Sequence, residues 1–135
     1  MERIRAIALA NRSLIFAKLL SALPYDDEQY IGRILTRHAI SAGYCEDRKA
    51  LKGNTLVQWS QLAPPVGDGS GTPTRWACLA ALDLLFEHAG APDVHDTVFL
   101  RCWIFYRHLS LGNIEAVIAE FPQENRSTVC SLIGE

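Results

Sequence analysis

The sequence predicts an all-α protein on three observations. Helix caps and breakers punctuate the chain at short intervals, apolar residues recur at helical spacing, and long alternating runs of Val, Ile and Thr are absent. Apolar residues are 49% and charged residues 21% of the 135, the balance of a folded chain and not a disordered one. At this length a single helical domain over residues 1–135 is expected, a compact bundle of about six or seven helices.

The opening segment, about 3–22, reads as one helix that ends before Pro24. Its basic start and apolar content also suit a secretory or membrane segment. Arg12 and Lys18 argue against that, interrupting the apolar run short of the ~20 residues that cross a bilayer. Asp26 and Asp27 can accept orphan amide hydrogens at the start of a second helix, which stops at Gly43 and keeps Ile31, Ile34, Leu35 and Ile40 on one face. A short helix is expected over about 46–52, closed by Gly53, and Asn54 can cap another that carries Leu56, Trp59 and Leu62. The stretch 63–72 holds adjacent prolines and several glycines, and is expected to be a flexible surface loop.

Thr72 followed by Pro73 predicts the start of a helix over about 73–89, and a further helix is expected over about 93–111. Large apolar residues lie nearly all round both. Such helices need cover on several sides, because each large side chain left in water costs about 1.5–3 kcal/mol. The pair is therefore expected at the centre of the bundle. In so small a domain the peripheral helices are expected to leave part of it bare, so a homo-oligomer would complete the burial, with Trp76, Phe99, Trp103, Phe105 and Tyr106 as interface anchors. Asn113 caps a helix over about 114–121 that Pro122 closes, and the tail has room for one more short helix.

The residues that usually mark catalysis form no recognisable constellation. Cys45, Cys78, Cys102 and Cys130 lie too far apart for the paired thiolates of a structural zinc site, and read as reduced thiols of a cytoplasmic protein. The glycines at 67, 69 and 71 lack the lysine and the preceding strand of a phosphate-binding loop. His88, Asp93, His95 and Asp96 cluster around one turn, but the acids suit a helix start and His88 a helix end. His38 and His108 are isolated in helices. No enzyme activity, cofactor or metal is expected.

Charge is more informative. The net charge is -2, yet the first 80 residues carry +3 and the last 55 carry -5. Arg33, Arg37, Arg48, Lys49 and Lys52 surround two helix breaks, and the next short helix offers Asn54, Gln58 and Gln61. A helix-turn-helix unit needs cations on its supporting elements to hold phosphates and a short helix whose polar side chains reach base edges. Residues 27–62 are expected to supply one, making the protein a small oligomeric regulator that binds double-stranded DNA. The alternative is a non-enzymatic adaptor, inhibitor or complex subunit that binds another protein through the five aromatics named above.

Overall fold

Asn11 breaks the first predicted helix in two. Its backbone leaves helical geometry (φ -125°, ψ 28°), and its side-chain amide donates to the Ile7 carbonyl at 2.7 Å, satisfying one of the acceptors a helix end leaves open. The N-terminal segment is therefore α1 (Glu2–Ala10) followed by α2 (Arg12–Ala22). The break lets α1 lay Ile4 and Ala8 on one part of the bundle while α2 turns Ile15, Phe16 and Leu19 toward another.

The computed structural model describes residues 1–61 and 72–135, and these contain eight α-helices, one 3₁₀ turn and no strand. The predicted loop at 63–72 lies outside the described residues except for Thr72. After α2 come α3 (Glu28–Ser41), α4 (Gly53–Trp59), α5 (Arg75–Ala89), α6 (Thr97–Leu111), α7 (Ile114–Ala119) and α8 (Arg126–Ile133), with the 3₁₀ turn Gln123–Asn125 before α8.

Several starts follow the cap chemistry read from the sequence. The Asp27 carboxylate accepts from the Gln29 amide at 3.0 Å, and the Asn113 side chain accepts from the Glu115 and Ala116 amides. Others shift. The residue before α5 is Thr74, not Thr72, and α6 begins at Thr97, not near Asp93. At that junction the Asp96 carboxylate pairs with Lys18 of α2 at 2.8 Å instead of capping its own helix. Residues 46–52, expected to be helical, are not. The Leu51 amide there donates to a side chain of α3, the Thr36 hydroxyl, so this backbone is held by α3 and not by its own turns.

Helices α5 and α6 form the centre. The former packs against α2, α3 and α6, the latter against α1, α2, α5 and α7. Every residue from Ala77 to Leu82 is buried, as are Phe99, Leu100, Cys102, Trp103, Ile104 and Tyr106. The cover that a second copy was expected to supply thus comes largely from the chain itself. Among the proposed interface aromatics, Phe99, Trp103 and Tyr106 belong to this core, 5%, 1% and 2% exposed, so they cannot serve as surface anchors. Trp76 and Phe105 are half-buried against it. No helix among the described residues is long and apolar enough to cross a membrane.

Candidate functional site

Between α3 and α4 the chain runs back along α3 as a strap, residues 42–52. The Tyr44 amide donates to the Ala39 carbonyl at 2.9 Å. Further along, the Thr36 hydroxyl donates to the Gly32 carbonyl at 2.8 Å and accepts from the Leu51 amide at 3.0 Å. The Gly53 amide then donates to Oε1 of Gln29 at 2.9 Å. The strap is therefore pinned near both ends of α3 and at its middle, antiparallel to the helix.

A polar network anchors the strap to the core. The Tyr44 hydroxyl donates to Oδ2 of Asp83 at 2.7 Å and also meets the Ser110 hydroxyl, while Nε2 of His38 lies 2.7 Å from the same Asp83 oxygen. Asp83 in turn pairs with Arg107, whose guanidinium also pairs with Glu120. Trp103 Nε1 donates to Glu120 at 3.1 Å, and the Arg107 guanidinium lies 5.5 Å from the ring centroids of both Phe86 and Trp103. Burial by itself lowers the pKa of Arg107, but hydrogen bonds and Coulomb attraction from Glu120 and Asp83 outweigh it and raise it. Burial raises the pKa of Tyr44. His38 and Arg107, unremarkable in the sequence, are thus structural partners of the strap and the core.

On the outer side, α3 and the strap enclose a groove of about 450 Å³. Tyr30, Arg33, Arg37 and Ser41 fall at three- and four-residue spacing on one exposed stripe of α3. Arg33 and Arg37 from that stripe, and Arg48 from the strap, line the groove together with Thr36 and Ser41; Asp47 is the one carboxylate among its lining residues. No ion pair engages Arg33, Arg37 or Arg48 among the described residues. Two of the three guanidiniums lie over aromatic rings, Arg33 at 5.6 Å from the Tyr30 centroid and Arg48 at 4.5 Å from that of Trp76. Three cations facing one carboxylate leave the groove with a surplus of two positive charges.

The remaining residues expected to bind DNA lie elsewhere. Lys52 and Asn54 border a second depression of about 390 Å³ shared with Asp27 and Glu28. Lys49, Gln58 and Gln61 are exposed and line neither. The outer face of α4 presents Asn54, Val57 and Gln58, while Gly53, Leu56 and Trp59 are buried beneath it. The α3–α4 connection is a strap of 11 residues, 42–52, not the three- to four-residue turn of a helix-turn-helix. The predicted unit over 27–62 is therefore replaced by a helix, a strap and a two-turn helix, with residue 62 outside the described part.

Around the turn before α6, His95 caps nothing but bonds to Asp93: its amide and Nδ1 both lie 2.9 Å from Oδ1, which holds the Asp93 carboxyl below its ordinary range. Among the described residues no three His, Cys, Asp or Glu side chains converge as metal ligands do.

Sequence reasoning found the three arginines, but it gave Tyr30 no role and Trp76 a place only among the interface aromatics; each ring lies against one of those arginines. Helical spacing from Arg33 and Arg37 would have placed Tyr30 on their stripe. Nothing local links Trp76 to Arg48. Set against protein-family models, curated proteins and solved structures, the chain matches none.

Proposed function

We propose that this is a small, non-enzymatic, cytoplasmic regulatory protein that binds DNA by gripping phosphates in the groove between α3 and the strap. The observation that supports this most is the convergence of Arg33, Arg37 and Arg48 on one groove without intramolecular ion pairs among the described residues. Like charges at i and i+4 on a helix repel, by about 0.2–0.5 kcal/mol, and an anion between them relieves that cost. The guanidinium fork matches phosphate oxygens in geometry as well as charge. The adaptor alternative has lost three of its five aromatic anchors to the core.

Anisotropy of a labelled DNA, titrated at low and moderate salt, tests the proposal. With about three phosphates neutralised, log K should fall with log salt at a slope of about -2 to -3. Arg37→Glu combined with Arg48→Glu should abolish the complex while leaving the helical circular dichroism intact. No complex at low salt, or unchanged affinity in that double variant, overturns the proposal.

A further inference from the structure

We infer that the groove takes an unpaired strand of nucleic acid, not a duplex, with bases stacked on the aromatic rings that lie against its arginines. This rests on the phosphate-binding proposal above and narrows its substrate class. Tyr30 is 39% exposed and Tyr25 is 37% exposed, their rings edge to face at 4.9 Å, with the groove-lining Arg33 over Tyr30. Arg48, which also lines the groove, lies over Trp76. Arg37, seven residues and about two helical turns from Tyr30, has no aromatic partner among the described residues. Three guanidiniums thus share one groove, and two of them carry an aromatic ring beside it.

Unpaired bases expose their faces, and stacking platforms beside a cationic track are how proteins hold single strands without reading sequence. A duplex hides those faces. It would instead have to be read by a helix entering its major groove, and the available helix, α4, is only seven residues long. Its first turn lies beside Asp27 and Glu28, whose carboxylates repel the phosphates that flank such a helix. The groove itself, at about 450 Å³, is of the size that encloses a small ligand or a nucleotide or two, not the width of a double helix.

The test compares labelled oligothymidine with a duplex of mixed sequence at equal salt, using the whole protein. The single strand should bind more tightly. Tyr30→Ala should weaken it by about 5- to 150-fold, the loss expected for one stacked base, while Tyr30→Phe restores it and both variants bind duplex alike. Trp59 and Trp103 are buried, so oligothymidine should alter the emission of Trp76, and Trp76→Phe should remove that signal. Duplex binding equal to or tighter than single-strand binding, or full affinity in Tyr30→Ala, overturns this inference and leaves the phosphate-binding proposal standing. Failure of both nucleic acids to bind overturns both, as does equal affinity for polyglutamate.

Discussion

Gly32 of α3 lies directly beneath the carbonyl of Leu51 in the strap: a methyl group on Gly32 would overlap that oxygen and press on its carbon. The close approach is what lets the Thr36 hydroxyl receive the Leu51 amide and brings Arg48 alongside Arg33 and Arg37.

Two effects oppose one another in Gly32→Ala. Within an exposed helix the change would stabilise by about 0.5–1 kcal/mol. Here the obstacle is backbone, which cannot rotate aside, so the overlap should prevail and the variant should lose about 1–3 kcal/mol in urea unfolding. A more stable variant would show that the strap yields freely.

Arg107→Met should destabilise by about 1–3 kcal/mol, because it leaves the half-buried carboxylates of Asp83 and Glu120 without their shared cation. Replacing Arg107 and Glu120 together by apolar residues should recover part of the loss, which a double-mutant cycle in denaturant measures. A loss in the double variant equal to the sum of the two single-variant losses would mean that the pair does not interact.

Leu82→Ala should cost about 2–5 kcal/mol, since Leu82 is fully buried on the central helix α5. Thermal unfolding near that of the parent chain would place α5 at the periphery instead.

Burial pushes the Cys78 and Cys102 thiols up to about 12 from an ordinary 9.0, favouring the neutral form in the folded state. Cys130 is exposed and Cys45 half-buried. A thiol reagent at neutral pH should therefore modify Cys130 first, Cys45 next, and the other two only on unfolding. The sign for stability follows from the raised folded values: the contribution is complete below pH 9 and is lost as pH rises from about 9 toward 12. Denaturant midpoints that stay flat over that window would contradict it.

Charge reversal separates the two depressions. Arg37→Glu should weaken nucleic-acid binding far more than Lys52→Glu, because Lys52 already faces Asp27 and Glu28. Equal losses would extend the binding surface to α4.

Much of the helical plan is local and was legible for that reason. Asp27 and Asn113 cap helices by reaching amides two residues ahead, and Gly90 and Gly112 end α5 and α6 at positive φ, 75° and 72°. The break at Asn11 escaped because the flanking apolar pattern is continuous and the deciding contact is a single side-chain hydrogen bond. The strap escaped because Gly53, expected to close a short helix over 46–52, instead begins α4, and the conformation of 46–52 comes from Thr36, Gln29 and the missing side chain at Gly32.

The sequence by itself determined the helical class, the caps at Asp27 and Asn113, the central place of the two apolar helices and the basic character of the segment around Arg33 to Lys52. Those properties depend on neighbours within a turn or two and on how much apolar surface water will tolerate. Only the tertiary structure decided that Arg33, Arg37 and Arg48 share a groove while Lys52 sits with acids, that Trp76 meets Arg48, and that Tyr44 reaches Asp83 and Ser110. These pairs are brought together by packing across the bundle, and spacing along the chain holds no record of which exposed charges will face one another once the core has closed.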